Sequence, residues 1–389
     1  MRFLHLADLH IGRQLAGFSL LDDQRHALAQ VLDLACATQV DAVVIAGDLY
    51  DKAQPSAEAV ALVDWFLTGL VERDLACLCV AGNHDSAERV AYAGELLRRQ
   101  GVHVSPVFGG SLDAVTLDDE HGGVTFWLMP YLTPTRVRPF FADEQISQDP
   151  NQALAVVLAT CRIDVSARNV LVAHQFVVSG GSQTLRSDSE LSLGDLDAVD
   201  AALFDDFDYV ALGHVHRPQR VGRDVVRYAG SLLPYAPSEI RYPKSVPLVD
   251  LGPKGEVSFE LVELEPLHPM RELRGRLEEL CDPAVVGGLS DRDRQCYAFV
   301  TLMDEHVPLG APERLRRVYP NLMGVSFGDP ADRAFSGDLP RPEDPGVKDP
   351  LGLFEDFFAS QNGTAPSDEQ RAMMREALAR AQGPEGSDA

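Results

Sequence analysis

The strongest constraint on the fold is an alternation of short apolar runs with amphipathic segments from residue 1 to about residue 130. Apolar runs of this length, bounded by turn-forming residues, are typical of strands, whereas the segments between them have apolar residues at helical spacing. The order of these elements predicts a layered α/β domain. Strands are predicted at 2–6, 42–46, 76–80 and 124–129, and helices at 22–38, 56–70 and 86–99.

The same pattern continues beyond residue 150 and completes a first domain at 1–265. A helix at 152–161 is followed by strands at 169–173, 208–212, 225–228, 246–251 and 257–264. A change of composition near residue 265 then begins a shorter pattern, from which we predict a small α/β cap at 266–335. Its elements are helices at 273–281 and 311–318 and strands at 297–303 and 322–327.

The C-terminal part has a different character. Residues 336–350 contain four prolines with several charges, which is typical of a linker and not of a core. Residues 351–382 combine an apolar cluster with a helix that starts near Ser367, so we predict a helical segment there. The last residues, 383–389, are predicted to be disordered.

Five polar motifs lie where predicted strands end. Such positions are where α/β sheets place their functional sites. Any one of these residues alone has an ordinary explanation, such as a turn, a helix cap or a packed imidazole. Among their residues, two carboxylates, an amide and four imidazoles form a mixed N/O set that suits two divalent ions such as Mn, Fe or Zn. The motifs are Asp8-Leu9-His10, Gly47-Asp48-Leu49-Tyr50-Asp51, Gly82-Asn83-His84-Asp85, His174 and Gly213-His214-Val215-His216.

The order of these motifs, D-x-H, G-D-x-x-D, G-N-H-D, H and G-H-x-H, resembles that of the calcineurin-like metallophosphoesterases. The resemblance implies a β-sandwich flanked by helices and an in-line attack of a metal-bridging hydroxide on phosphorus. It also implies the ligands of each ion: Asp8, His10, Asp48 and His216 for the first, and bridging Asp48 with Asn83, His174 and His214 for the second.

The same resemblance assigns two catalytic residues. His84 would lie beside the ions without binding them and would stabilise or protonate the reacting phosphate. Such a histidine needs an orienting carboxylate, and Asp51 is our candidate, although a loop-capping role for Asp51 stays open. Asp85 is expected to brace the loop.

Three segments carry a narrower resemblance, to the bacterial SbcD nuclease subunits. They are GDLYDKAQPS, DYVALGHVHRPQ and YAGSLLPYAPSE, and the likeness extends into the cap. It implies a Mn²⁺-dependent DNA nuclease, with double-strand exonuclease and single-strand or hairpin endonuclease activity, in DNA repair and recombination. It further implies an SbcC ATPase partner bound through 351–382, and a homodimer within a heterotetramer.

Charge bears on this interpretation. With 34 Lys and Arg against 59 Asp and Glu, the net charge is -25, which argues against a protein that binds DNA unaided. A partner that supplies the basic surface would resolve the conflict, and Arg13, Arg89, Arg217 and Arg220 lie close in sequence to the motifs. Two alternatives stay open: a small-molecule or cyclic-nucleotide phosphodiesterase, and a scaffold for the ATPase.

No apolar run reaches the roughly 20 residues of a membrane span, and the N-terminal segment lacks the apolar region of a signal peptide. We therefore expect a cytoplasmic, nucleoid-associated protein with no membrane partner. We assign no functional feature to 113–149 from the sequence.

Overall fold

The computed structural model describes residues 1–142, 144, 146–180, 184–187, 197–304 and 308–328, with 351, 352, 355, 358, 366–368 and 370–375. The predicted linker at 336–350 and the tail at 383–389 lie outside the described residues. By compactness the chain divides into two units, Met1–Thr301 with Leu309–Ser326, and Leu302–Pro308 with Phe327–Ala389.

The strands are β1 Arg2–Leu6, β2 Gln14–Leu15, β3 Phe18–Ser19, β4 Ala42–Ala46, β5 Ala76–Val80, β6 Val102–Val104, β7 Asp113–Asp119, β8 Gly122–Met129, β9 Arg168–His174, β10 Val177–Val178, β11 Val199–Asp200, β12 Tyr209–Gly213, β13 Gln219–Val221, β14 Arg223–Tyr228, β15 Ser245–Leu251, β16 Val257–Glu263, β17 Met270–Gly275, β18 Tyr297–Leu302 and β19 Leu322–Phe327. The helices are α1 Leu21–Thr38, α2 Ala57–Val71, α3 Ala87–Val90, α4 Gly94–Arg98, α5 Pro134–Val137, α6 Pro150–Thr160, α7 Leu277–Leu280, α8 Pro283–Gly287, α9 Asp291–Arg294 and α10 Ala311–Val318. Short 3-10 turns span Arg138–Phe140, Ala201–Phe204 and Pro237–Arg241.

Two six-stranded sheets form the centre of the first unit. The first has the strand order β16-β15-β1-β4-β5-β6, and the second has the order β13-β14-β12-β9-β8-β7. β1, β4, β5 and β6 are parallel to one another, as are β8, β9, β12 and β14, while the outer strands pair antiparallel. The carboxyl ends of the parallel strands therefore meet at one edge of each sheet.

The sheets pack face to face because their central strands are apolar on both sides. Phe3 of β1 makes edge-to-face contacts with Phe126 and Tyr209 of the opposite sheet, with ring centroids 5.6 Å apart in each pair. Phe3 is completely buried, and burial of a side chain of this size contributes about 1.5–3 kcal/mol. The sandwich core fixes the two sheets relative to each other.

Helices cover the outer faces of the sandwich. α1 buries Ala27, Leu28, Val31, Leu32 and Ala35, a spacing that places them along one side of a helix. This side packs with α2 against the first sheet, and α6 packs in a separate apolar cluster on the second sheet. The resulting order of layers is helix, sheet, sheet, helix.

The cap and the tail have simpler structures. β17, β18 and β19 form a three-stranded sheet accompanied by the short helices α7 to α10. In the second unit, residues 351, 352, 355 and 358 are helical, as are 368 and 370–375. The observed helix after Ser367 agrees with its predicted start.

Most predicted elements occur within two residues of their observed bounds, but two predictions were wrong. The helix predicted at 86–99 is interrupted at Ala93, whose φ of 58° is left-handed, so that α3 and α4 are separate short helices. The start of the helix predicted at 273–281 is instead part of strand β17, which pairs in the cap sheet, and only 277–280 is helical.

Among the described residues, no helix is both long enough and apolar enough to cross a membrane.

Candidate metal centre

The five motifs come together at the carboxyl ends of β1, β4, β5, β9 and β12. Neighbouring parallel pairs set their positions: β1 lies beside β4, β4 beside β5, and β9 beside β12. His174 at the end of β9 is directly opposite Gly213 at the end of β12. Residues far apart in sequence therefore converge at one edge of the sandwich.

Several of the converging residues have strained backbones. φ is 52° at Asp8, 44° at His10, 51° at Asp48 and 107° at His214. Residues other than glycine rarely adopt positive φ, and such strain is concentrated at functional sites because the surrounding structure must maintain it. Here backbone hydrogen bonds hold the turns, from Asp8 N to Gly47 O at 3.1 Å and from His10 N to Asp48 O at 2.9 Å.

The glycines before the ligand positions are needed mainly for space. Gly47 does have a positive φ of 86°, but Gly82 and Gly213 do not. A Cβ atom on Gly82 would lie 2.1 Å from Asp48 Oδ1, and one on Gly213 would lie 1.9 Å from Ala46 O. Of these three glycines, Gly47 alone also needs the backbone freedom of glycine.

The first group of possible ligands is buried. Ligand atoms of Asp8, His10 and His216 all lie within 4.8 Å of one another. These three residues are each at most 3% exposed. The Nε2 atoms of His10 and His216 are 3.1 Å apart, so two ring nitrogens point towards the same small volume.

A second group lies next to the first and shares its carboxylates. Ligand atoms of Asp8, Asp48 and His174 also lie within 4.8 Å of one another. Asn83 Oδ1 is 2.8 Å from His174 Nε2 and 3.0 Å from His214 Nδ1. Asp48 Oδ2 is 3.4 Å from His174 Nε2 and 3.7 Å from His10 Nε2, so Asp48 lies between the two groups.

These donor atoms fit divalent cations. His174 Nδ1 donates to the carbonyl oxygen of Ala46 at 2.8 Å, which leaves Nε2 of a neutral ring with a lone pair directed at Asn83 Oδ1. Two acceptors at 2.8 Å need a hydrogen atom or a metal ion between them, which a protonated ring, a rotated Asn83 amide or a bound cation can each supply. A histidine ligand whose other nitrogen donates to a backbone carbonyl is the usual arrangement around metals.

The electrostatics keep two of the histidines neutral. Burial, together with the nearby His174, lowers the pKa of His214 to about 3. Burial also lowers the pKa of His10 well below its ordinary value, more than Asp48 raises it. Neutral imidazole is the form that binds metal.

The pKa values of Asp8 and His174 are instead raised. Burial raises the pKa of Asp8 to about 6, although His174 and His216 reduce that effect. Burial lowers the pKa of His174, but Asp48 outweighs it and raises the value to about 9. The pair Asp48 and His174 therefore shares a strong attraction, which holds the pKa of Asp48 below its ordinary value despite burial.

His84 is close to the ligands but is oriented differently from expectation. Its Nδ1 donates to the backbone carbonyl oxygen of Asp51 at 3.0 Å, and its backbone N donates to Asp48 Oδ1 at 2.8 Å. The Asp51 carboxylate instead accepts from Arg13 Nη1 at 2.8 Å and lies 3.8 Å from His10 Nδ1. The expected contact between the Asp51 carboxylate and His84 is therefore wrong.

Asp85 has the bracing role that the sequence predicts. Its buried carboxylate accepts hydrogen bonds from the backbone N–H groups of Leu49, Tyr50 and Gly82, at 3.0, 2.9 and 2.9 Å. These bonds join the second and third motifs, so the loops that present Asp48 and Asn83 are fixed to each other.

Sequence reasoning missed several residues around this centre. Gln24 Nε2 donates to His10 O at 2.8 Å, and Tyr235 OH donates to Leu9 O, which fixes the first motif. The ring of Tyr131 lies parallel to His214 at 6.3 Å, within the stretch to which no feature was assigned. Glu239 contacts His216 Nδ1 at 3.1 Å; its signal in the sequence was a charged residue within an apolar, proline-rich run.

Comparison with known proteins agrees with this geometry. A family model described as calcineurin-like phosphoesterase matches residues 1–218, and one described as the type 5 capsule protein repressor C-terminal domain matches residues 266–362. The chain belongs to the calcineurin-like phosphoesterase family. It is therefore a hydrolase of phosphoester bonds, and the predicted fold class and family are confirmed.

Within this family the chain is a member of the SbcD group. The SbcD subunit of the nuclease SbcCD from Staphylococcus saprophyticus is 32% identical over 331 residues, which is 84% of this chain and 84% of that protein. Its counterpart of the same name from Staphylococcus epidermidis is 30% identical over 330 residues, which is 84% of this chain and 85% of that protein. A solved dimetal phosphatase from Danio rerio is 13% identical and covers 69% of this chain and 98% of its own length, with a TM-score of 0.42.

Proposed function

We propose that the chain is a Mn²⁺-dependent DNA nuclease that acts with an SbcC-type ATPase in the processing of DNA ends. We propose double-strand exonuclease and single-strand or hairpin endonuclease activities, in repair and recombination. The observation that carries this proposal is the convergence of N and O ligands at one sheet edge, in a chain whose relatives along 84% of its length are named nuclease subunits.

The proposed ligand set has two parts. Asp8, His10, Asp48 and His216 would hold one ion, and Asp48, Asn83, His174 and His214 the other. The buried position of Asp48 between the two groups supports its role as the bridging carboxylate. Two Mn²⁺ ions held there would neutralise the phosphate and lower the pKa of bound water.

His84 would act as a general acid or as an electrostatic stabiliser of the phosphate in this reaction. Because its Nδ1–H is donated to Asp51 O, the neutral ring carries its lone pair on Nε2. Protonated at Nε2, the ring can stabilise negative charge on the phosphate or give the proton to the leaving oxygen. The carbonyl of Asp51 fixes the ring orientation, and the nearby ring of His10, with centroids 4.8 Å apart, limits its movement.

The arginines near the motifs differ in whether their guanidinium groups are already paired with a carboxylate or are exposed and could contact DNA phosphates. Arg13 is committed to Asp51, and Arg220 pairs with Asp224 at 2.7 Å. Arg217 is exposed and lies over the ring of Tyr242, and Arg89 is exposed. This limited positive charge, with a net charge of -25, supports a function that depends on a partner for the grip on DNA.

We further propose that the chain forms a homodimer within a heterotetramer. Val60, Tyr92 and Leu96, on and between α2, α3 and α4, are 45%, 80% and 64% exposed. A groove of about 300 Å³ beside them is lined by apolar side chains that include Val63 and Leu67. Exposed apolar surface of this kind usually marks an interface with another protein.

A cleavage assay tests the proposed activity. Metal-free protein is supplied with Mn²⁺ and given a linear duplex, a hairpin or a cyclic nucleotide, with and without SbcC. We expect duplex and hairpin cleavage that SbcC and ATP increase. Efficient hydrolysis of the cyclic nucleotide with the duplex untouched in both conditions would instead support a small-molecule phosphodiesterase.

The partner is tested by deletion of 351–389. Residues 351–382 are our proposed SbcC-binding segment, with an exposed Met373 on its second helical part. The shortened chain should fail to co-purify with SbcC but retain its basal cleavage with Mn²⁺. Unchanged co-purification would refute this location of the binding segment.

A further inference from the structure

Behind His216 lies a buried carboxylate, Glu239, that is not among the proposed metal ligands. It belongs to the 3-10 turn Pro237–Arg241 and is completely buried. Glu239 Oε1 is 3.1 Å from His216 Nδ1, and Oε2 is 2.6 Å from Lys244 Nζ. Burial of a carboxylate is costly unless other groups compensate for its charge, and Lys244 supplies that compensation here.

The contacts of Glu239 fix the protonation of the His216 ring. The ionised carboxylate only accepts hydrogen bonds, so His216 Nδ1 must carry the proton and donate it to Oε1. The lone pair of a neutral ring is then on Nε2, which lies 3.1 Å from His10 Nε2 in the first group of ligands. The carboxylate therefore selects the tautomer that directs Nε2 into the metal centre.

A buried network holds Glu239 itself in place. Lys244 Nζ also donates to Ser231 Oγ at 2.8 Å and to His216 O at 3.1 Å. The backbone N of Tyr235 donates to Oε2 at 3.2 Å, and Ser187 Oγ donates to Oε1 at 2.9 Å. Because both oxygens are restrained, the carboxylate can restrain the imidazole ring in turn.

The second group of ligands has a weaker counterpart. The Nδ1–H of His174 meets the carbonyl oxygen of Ala46, a neutral acceptor, at 2.8 Å. A charged carboxylate increases the basicity of a histidine ligand more than a neutral carbonyl does. The two metal positions should consequently differ in affinity.

We propose that Glu239 is a positioning residue that acts through His216 and makes the metal position of Asp8, His10 and His216 the tighter of the two. This inference rests on the proposed ligand set. It adds to that set a residue that touches neither the metal nor the substrate.

The test measures Mn²⁺ affinity of the full-length, metal-free protein by calorimetry, with Mn²⁺ electron paramagnetic resonance to count bound ions. The wild type should bind two ions with different affinities. Glu239→Gln should weaken Mn²⁺ binding at the tighter position by about 10–100-fold. It should change Mn²⁺ affinity at the weaker position by less than about twofold, because Glu239 does not contact the ligands of that position. The proposal would be overturned if Glu239→Gln weakened the binding of both ions equally, or if it weakened the binding of neither ion.

Asp119→Asn provides the matched control. It makes the same change from carboxylate to amide in a buried ion pair, with Arg168 at the start of β9, that is not part of the proposed ligand set or of the Glu239 network. If Glu239 acts through His216, Asp119→Asn lowers the melting temperature yet keeps the tight Mn²⁺ site. A loss of affinity as large as that of Glu239→Gln would mean that breaking any buried ion pair weakens the site and would contradict the proposal.

A double-mutant cycle identifies the position affected. In a His216→Ala background, Glu239→Gln should change the remaining Mn²⁺ affinity little, whereas in a His174→Ala background it should produce the full loss. If Glu239→Gln does not fold, Glu239→Asp replaces it, because the shorter side chain keeps the charge beside Lys244 but withdraws from His216. Glu239→Asp should also weaken the tight site, and unchanged affinity there would refute the proposal.

These measurements are independent of the proposed nuclease activity. A chain that binds Mn²⁺ as described but cuts no DNA would contradict the proposed function alone. A chain that cuts DNA while Glu239→Gln binds Mn²⁺ like the wild type would contradict the role of Glu239 alone.

Discussion

His84 Nδ1 donates its hydrogen bond to the backbone carbonyl oxygen of Asp51 and not to the carboxylate of that residue. The side chain of Asp51 is therefore dispensable for orienting His84, since any residue at position 51 has a carbonyl. What the carboxylate does contribute is its pairing with Arg13.

This relationship predicts different effects for two substitutions. His84→Ala should lower kcat by about 10²–10⁴-fold, the usual contribution of a general acid or base, while Mn²⁺ binding is retained. Asp51→Asn should lower kcat by less than about tenfold because the carbonyl remains. Steady-state cleavage of a hairpin with Mn²⁺ measures both, and equal losses would contradict the carbonyl as the orienting group.

The same His84→Ala variant also tests the scaffold alternative. Wild-type repair function in cells that carry His84→Ala would support a scaffold role for this chain instead of a nuclease role.

There is no room for a side chain at Gly82, so we expect substitution by alanine to weaken metal binding. Gly82→Ala would place a Cβ atom 2.1 Å from Asp48 Oδ1, so the proposed bridging carboxylate must move. We expect Mn²⁺ affinity and cleavage to fall at least about tenfold, on the scale of losses seen when the surroundings of a ligand are altered.

Gly94→Ala is the matched control for Gly82→Ala. Nothing lies within 4 Å of a Cβ atom at Gly94, which is the first residue of α4. Because alanine restricts the unfolded chain, this change should leave Mn²⁺ binding unaltered and stabilise the fold by about 0.4–1 kcal/mol. Calorimetry with Mn²⁺ and chemical denaturation check the pair of variants.

The lowered pKa of the buried His5 should make the free energy of unfolding depend on pH. Burial, together with the charge of Arg227, lowers the pKa of His5 to about 3, whereas the unfolded chain has a histidine pKa of about 6.5. Between these values the unfolded state binds the extra proton, so the free energy of unfolding decreases as pH falls below about 6.5. From pH 7 to pH 5 this histidine should account for a loss of about 2 kcal/mol.

His5→Gln tests that prediction, because glutamine does not titrate and can still meet Tyr209 OH, which lies 3.1 Å from His5 Nδ1. Urea denaturation at both pH values should give a variant whose unfolding free energy decreases less than that of the wild type. Parallel curves for the two proteins would show that His5 does not titrate as proposed.

The exposed face of α4 predicts the oligomeric state. Leu96→Glu places a charge in the proposed dimer interface, where Leu96 is 64% exposed in the single chain, and should convert a dimer into monomers. Val165→Glu, at a residue 56% exposed and outside this face, should remain dimeric. Analytical ultracentrifugation distinguishes the cases, and a dimeric Leu96→Glu variant would place the interface elsewhere.

The sequence by itself determined the strands and the polar residues at their ends. Runs such as 42–46 and 76–80 are apolar on both faces, so their predicted bounds coincide with the observed ones. Because parallel strands bring their carboxyl ends to one edge, the residues that follow them could be expected to meet. Local periodicity was sufficient to locate the strands and the candidate ligands at their ends, whereas the family was inferred from the resemblance of the five motifs in their order.

Only the tertiary structure decided which partner each group has. Whether His84 meets a carboxylate or a carbonyl, and whether Glu239 meets His216, depends on contacts between segments that no local pattern encodes. The break at Ala93 has a local signal in the neighbouring Gly94, but that signal does not show that Ala93 itself adopts the left-handed conformation. Hydrogen bonds have a range of about 3 Å, so their partners are fixed by packing between distant segments, whereas strand and helix periodicity is fixed by neighbours in sequence.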